Sequence, residues 1–91
     1  MKIYYDGQYK IINESGKEKI YKKLEDISKY NIIITEIKIK EGTTKINDKA
    51  FRNCKHLKKV IMPDSITEIG IEAFWNCSSL IEINLPQNIK K

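Results

Sequence analysis

Apolar and polar residues alternate in three stretches of this chain, and the alternation predicts strands. In IIITEIKIK, Ile37 and Ile39 sit two apart; so do Val60 and Met62 in LKKVIMP, and Ile83 and Leu85 in LIEINLP. Successive side chains of a strand point to opposite faces. Those pairs therefore turn inward, while Glu36, Lys38, Lys59, Ile61, Glu82 and Asn84 turn outward. The three strands, near residues 35–40, 58–62 and 81–85, recur at a step of 23. Strands spaced this way are parallel and are joined by crossovers. Upstream, IYY and YKII flank Asp6-Gly7, a hairpin signal. Between hairpin and repeats, residues 15–31 predict a helix. Ser15 and Glu18 form a capping box, and Ile20, Leu24 and Ile27 follow at i, i+4 and i+7, with Tyr21 at the margin.

The step of 23 extends beyond the strands. Residues 44–66 and 67–89 are one unit written twice, identical at nine of 23 aligned positions. Ala50, Phe51 and Cys54 in the first crossover, like Ala73, Phe74 and Cys77 in the second, have the spacing of one face of a short helical turn. One step back from Leu57, Val60 and Met62 stand Ile34, Ile37 and Ile39, the strand half of an earlier unit. A repeat of 20–29 residues with this apolar core marks a leucine-rich solenoid. The expected fold is thus α/β: a short leucine-rich-repeat solenoid with parallel strands, capped N-terminally by a β-hairpin and one α-helix. Residues 1–33 are the cap and residues 34–91 hold about two and a half repeats, together one domain.

The recurring I-x-x-x-AFxNC-x-x-L-x-x-[VI]-x-[ML]-P-x-x-I resembles the BspA-type leucine-rich repeat family over roughly residues 34–89. The resemblance implies a protein-binding role. Similar members are commonly long bacterial surface proteins engaged in adhesion, whereas this chain shows few repeats and its first 33 residues follow no repeat pattern.

At 91 residues the chain is a single small domain. The MKIYYDGQYK start lacks the apolar run of a secretory signal, and no stretch is long enough to span a membrane. The expectation is a cytoplasmic protein of a bacterial cell, phage-encoded in one version of this reading, with no membrane partner. Cys54 and Cys77 stand one repeat apart, within disulfide range, but read better as reduced, buried thiols. With a single His56 they do not make a metal site, and no cofactor is implied. The net charge of +5 is uneven: residues 43–66 carry a net +4, and residues 67–86 a net −3. The basic cluster of Lys45, Lys49, Arg52, Lys55, Lys58 and Lys59 reads either as ordinary solvated surface or as a patch for an acidic partner.

Candidate contact residues follow from register. Glu36, Lys59 and Glu82 form one outward row whose alternating charges favour correct pairing. Lys38, Ile61 and Asn84 form the next, with an apolar residue ringed by polar ones. Trp75 takes the place of Arg52 in its repeat, and either lies open for an interface or folds over Arg52 as a cation–π pair. Of Tyr4, Tyr5 and Tyr9, at least one should be exposed.

No phosphate loop, nucleophile motif or metal-ligand spacing supports catalysis. The reading that follows is a small intracellular inhibitor or adaptor, in the manner of anti-CRISPR proteins, docking on a larger protein with an acidic surface or on a ribonucleoprotein. The alternatives are a fragment of a surface adhesin, and a nucleic-acid-binding basic protein relying on Lys55 and Lys58, although no recognised nucleic-acid module is present. The last strand has an open edge that would allow a two-fold homodimer.

Overall fold

The computed structural model describes residues 1–12, 14–25, 33–87 and 89. The hairpin forms as the sequence predicts. Strands β1 (Lys2–Tyr5) and β2 (Tyr9–Ile12) pair antiparallel, with Tyr5 opposite Tyr9. Asp6 accepts the Gln8 N–H at 3.0 Å through its carboxylate, and Gly7 takes φ +108°, which its missing Cβ permits.

The predicted helix is not found where its first half was placed. Residues 18–21 form β3 (Glu18–Tyr21), antiparallel to β2 with Ile20 opposite Lys10. Without β3 the outer edge of β2 would leave its N–H and C=O groups unpaired, a demand that outweighs a weak helical propensity. Glu18 caps no helix; its carboxylate lies 3.5 Å from Lys10 Nζ. Ile20 is exposed, whereas Leu24 packs against the core. Ile27 and the rest of the predicted helix from residue 26 lie outside the described residues.

Strands β4 (Glu36–Ile39), β6 (Lys59–Ile61) and β8 (Glu82–Ile83) are parallel and fall where the repeat predicts them. β1 runs parallel to β4, Lys2 opposite Glu36, so hairpin and repeats share one six-stranded sheet of order β3-β2-β1-β4-β6-β8. A second sheet, unforeseen from the sequence, pairs β5 (Lys45–Ile46) with β7 (Glu68–Ile69) in parallel.

The AFxNC segments are not helical turns. They are chains of i→i+3 turns: the N–H groups of Ala50, Arg52 and Cys54 reach the carbonyls of Asn47, Lys49 and Phe51. Lys49, Asn53, Glu72 and Asn76 take φ between 57° and 66°, left-handed values that no α-helix accommodates. The reason is the neighbouring coil. In this form the N–H groups of Lys49, Phe51 and Asn53 point sideways and donate to the carbonyls of Ile71, Ala73 and Trp75 at 2.8–2.9 Å. A helix would have turned them along its own axis. Asn76 Nδ2 also donates to Asn53 Oδ1 at 3.0 Å, one asparagine stacked on its repeat partner.

Between sheet and turns lies an apolar core. Ile3, Tyr5, Ile37, Ile39, Val60 and Met62 enter from the sheet; Ile46, Ala50, Phe51, Leu57 and Ile66 from the coil. Two hairpin tyrosines close its N-terminal end. The rings of Tyr5 and Tyr9 meet Phe51 edge-on, at 4.9 and 5.5 Å between centroids. Tyr9 Oη donates to the Ala50 carbonyl at 2.5 Å, and Tyr5 Oη accepts the Asn47 N–H at 3.2 Å. The C-terminal end has no such cover among the described residues. Ile83 and Leu85, predicted to face inward, are 38% and 66% exposed, where their repeat partners Val60 and Met62 are 2% and 4%.

Met62→Ala should therefore cost about 2–5 kcal/mol, while Leu85→Ala at the same repeat position should stay within about 0.5 kcal/mol; urea unfolding of the two variants measures the contrast. Gly70 packs its Cα against the first coil, where an added Cβ would meet the Asp48 backbone N, Asp48 Oδ1 at 2.5 Å and Asn47 C at 2.6 Å. Gly70→Ala should consequently lower stability by about 1–3 kcal/mol in the same assay.

Candidate protein-binding surfaces

The outward side chains of the large sheet form rows across the strands. Lys2, Glu36, Lys59 and Glu82 make one row of alternating charge, with Lys2 Nζ 3.2 Å from Glu36 and Lys59 Nζ 3.5 Å from Glu82. Each pair is partly solvated and contributes at most about 1 kcal/mol. Its effect is on register. Lys59, a candidate contact residue, is thus engaged within the fold.

The next row runs Ile20, Lys10, Tyr4, Lys38, Ile61. Lys38 is exposed and Ile61 half-buried beside it. Asn84 is committed to the backbone: its amide accepts the Met62 N–H and donates to the Met62 carbonyl, both at 2.8 Å. A side chain here stands in for a peptide group and ends the β6–β8 ladder. The hairpin end of this face is concave. An open hollow of about 350 Å³ is lined by Tyr4, Lys10, Lys38 and Lys40 together with Glu18 and Glu41. Tyr4 is the hairpin tyrosine that stays half-exposed, since Tyr5 and Tyr9 are buried. Lys38 and Lys40 have no ion-pair partner among the described residues, whereas Lys10 is held by Glu18.

On the opposite side, Trp75 is paired with Arg52 and exposed at once. The Arg52 guanidinium lies 4.8 Å from its ring centroid, yet the indole remains 51% exposed. Arg52 Nε stands 3.7 Å from Glu72 Oε1, an ion-pair distance too long for a hydrogen bond, and is buried with no hydrogen-bond partner. Ile71 beside it is 73% exposed. Its repeat partner is Asp48, a polar residue that marks the position as one facing solvent. Lys55 and Lys58 are exposed, and with Lys49 they have no ion-pair partner among the described residues.

The remaining basic residues of that coil are spoken for. Lys45 lies 3.3 Å from Glu68, and with Arg52–Glu72 and Lys59–Glu82 it joins the basic coil to the acidic one. Half of what the sequence offered as a patch for an acidic partner is interlayer pairing. No group of three potential ligands among the described residues gathers to hold a metal ion. No helix there is long and apolar enough to cross a membrane.

The repeat geometry agrees with comparison to known families. A family model for the BspA type Leucine rich repeat region (6 copies) matches residues 19–91. The chain belongs to this family. No curated protein and no solved structure matches the chain. BspA-type repeats act as protein–protein interaction modules and are typically non-enzymatic. The match starts inside β3, so the family pattern takes in more than the residues that carry the two clear repeats.

Both BspA-type AFxNC cysteines are free thiols, half-buried in the turns, and Cys77 Sγ donates to the Phe51 carbonyl at 3.2 Å. Burial pushes the Cys54 thiol from 9.0 up to about 12, with a smaller contribution from Cys77. Burial likewise raises Cys77, Tyr5 and Tyr9. Each of these groups holds its proton more tightly folded than unfolded. Their contribution to stability is then complete below the unfolded thiol value and is lost as pH rises through about 9 toward 12. The urea midpoint should fall across that window. Cys54→Ala should reduce the fall, and iodoacetamide at pH 8 should label Cys54 only after unfolding.

Proposed function

We propose that the protein is a small non-enzymatic inhibitor or adaptor that docks on one larger protein through the outer face of its large sheet. The observation that carries this reading is the Tyr4–Lys38–Ile61 row beside the hollow. An aromatic ring, an aliphatic side chain and two lysines without described carboxylate partners lie together on a rigid sheet. A rigid aromatic and apolar centre with a polar rim is what a protein contact needs. The lysines favour an acidic partner surface, and they steer encounter more than they add affinity. Two free thiols suit a reducing compartment, so the bacterial cytoplasm is the proposed site of action. An anti-CRISPR-like role is one instance of such a docking inhibitor.

Direct nucleic-acid binding is the second reading, favoured by Lys49, Lys55 and Lys58, which the acidic coil leaves without partners among the described residues. One experiment separates the two. The tagged chain is used to capture partners from the source cell's lysate, with and without nuclease, beside a Lys38→Glu/Tyr4→Ala double variant. A stoichiometric protein that survives nuclease and is lost with the double variant is the expected result. Nucleic acid alone, with binding that falls steeply with salt and is lost on reversing Lys55 and Lys58, would establish the second reading instead.

A further inference from the structure

The hollow on the outer face of the large sheet carries a charge arrangement that selects its occupant. Lys38 projects into it from β4, a strand hydrogen-bonded on both sides, to β1 and to β6. Its neighbours across those strands are Tyr4 and Ile61, neither of them charged. Lys40 is two residues on and so stands on the same face, about 7 Å along the strand direction. The Lys40 N–H donates to the Tyr5 carbonyl at 2.8 Å, which holds that residue to the β1 ladder. Neither ammonium has an ion-pair partner among the described residues. The Tyr4 hydroxyl makes no hydrogen bond among them either, whereas those of Tyr5 and Tyr9 are engaged within the fold. Beside the three polar groups, Ile12 adds an aliphatic wall that is 40% exposed.

Three carboxylates border the same hollow, and their places decide how much charge it takes. Glu18 is engaged with Lys10 at 3.5 Å. Asp6 is turned to the Gln8 N–H of the hairpin, and Glu41 follows Lys40 into the turn after β4. They leave a cationic seat beside Tyr4 with acidic ground around it. One negative charge is matched there. A phosphate dianion or a nucleic-acid backbone would set its further charge against Glu18, Asp6 and Glu41 at short range. A second copy docked here by a two-fold contact would bring its own Lys38 and Lys40 toward the same lysines, like charge on like.

We infer that the hollow is a carboxylate seat, taking one Asp or Glu side chain from an exposed, aliphatic-flanked segment of the partner protein. The carboxylate accepts from Lys38, Lys40 and the Tyr4 hydroxyl, charge-assisted bonds from three donors carried by one rigid sheet. Its methylene stem lies on the Tyr4 ring and Ile12, and the flanking aliphatic residue lies on Ile61. The seat belongs to the docking face already proposed and rests on that reading, to which it adds the side chain recognised.

The probe is the capped peptide Ac-Ala-Leu-Glu-Leu-Ala-NH2, added to the full chain at up to millimolar concentration beside its Gln and phosphoserine counterparts. NMR shifts of the Tyr4 ring and of the Lys38 and Lys40 side-chain methylenes report occupancy. The expected result is saturable shifts at those three residues, binding about fivefold weaker for the Gln peptide, and no gain with phosphoserine. Tyr4→Phe and Lys40→Gln should each weaken the Glu peptide by about threefold. Lys38→Gln, at an exposed position, should abolish its preference over the Gln peptide, with an unchanged urea midpoint as the control for folding. Equal binding of the Glu and Gln peptides, tighter binding of phosphoserine, or no shift with any peptide would each overturn the inference. So would shifts at Lys49, Lys55 and Lys58 in place of the hollow, or Tyr4 and Lys38 shifts that track protein concentration without peptide. Loss of the lysate partner with the Lys38→Glu/Tyr4→Ala variant while the Glu peptide fails would leave docking standing and remove the seat. A Glu peptide that binds while no lysate partner is captured would keep the seat and remove the inhibitor or adaptor reading.

Discussion

The stacking of one coil on the next at a step of 23 residues is the constraint on which the rest depends. An isolated coil of this length has an apolar side and a row of unsatisfied peptide groups on each flank, and neither is tolerable in water. Stacking meets both needs at once. β5 and β7 pair on one side of the core, β4, β6 and β8 on the other, and the turn segments form a third ladder. Position-for-position repetition follows from that geometry. A coil with a different length would throw three ladders out of register together. Gly70 marks how close the approach is, since its backbone lies against Asp48 where a side chain would not fit.

Charge is layered in the same way. The chain's strongest compositional asymmetry, a basic coil followed by an acidic one, resolves into three ion pairs between the coils. Individually such exposed pairs contribute little. Collectively they discriminate between registers, because a slip of one position would set lysines against neutral neighbours and turn the apolar side outward. Among the described residues of the first coil and of strand β4 with its end, the lysines without an ion-pair partner are Lys49, Lys55 and Lys58 in the coil and Lys38 and Lys40 on the sheet. On those two faces it is these residues, rather than the total of +5, that bear on what the surface can attract.

The strands of the repeat and the hairpin were legible because their signals are local and periodic: inward pairs such as Val60/Met62 need only count by two, and Asp6-Gly7 names its own turn. The errors arose where a neighbour decides. Residues 18–21 carry a helix-compatible pattern, but the free edge of β2 recruits them as a strand. Ala50, Phe51 and Cys54 do share a face that packs on the core, yet the backbone form of their segment is set by carbonyls 22 residues away, which no local pattern encodes. Asn84 looked like a surface contact, because nothing in the sequence says that its amide will bridge the Met62 peptide. Of the candidate contacts, Lys38, Ile61, Trp75, Lys55 and Lys58 keep exposed or partly exposed side chains. Lys59, Asn84 and Arg52 are occupied within the fold.

The two ends of the solenoid show how differently one problem can be met. At the N-terminal end the hairpin supplies what a preceding coil would have supplied: β1 satisfies the edge of β4, and the Tyr5 and Tyr9 rings cover Phe51 while their hydroxyls bond to the first coil's backbone. Phe51 is fully buried as a result. Phe74, its repeat partner, stacks on Phe51 at 5.6 Å on one side and is only partly covered on the other. The tyrosines are suited to the N-terminal task because each offers a ring to the core and a hydroxyl to the turn, so one side chain closes an apolar surface and a polar one together. Closing the other end in the same way would require aromatic residues with polar tips beyond Leu85, facing Phe74. Among the described residues the second coil presents Phe74, Ile83 and Leu85 there, beside Glu72, Phe74 and Asn76 N–H groups without an acceptor, so its two flanks differ in kind.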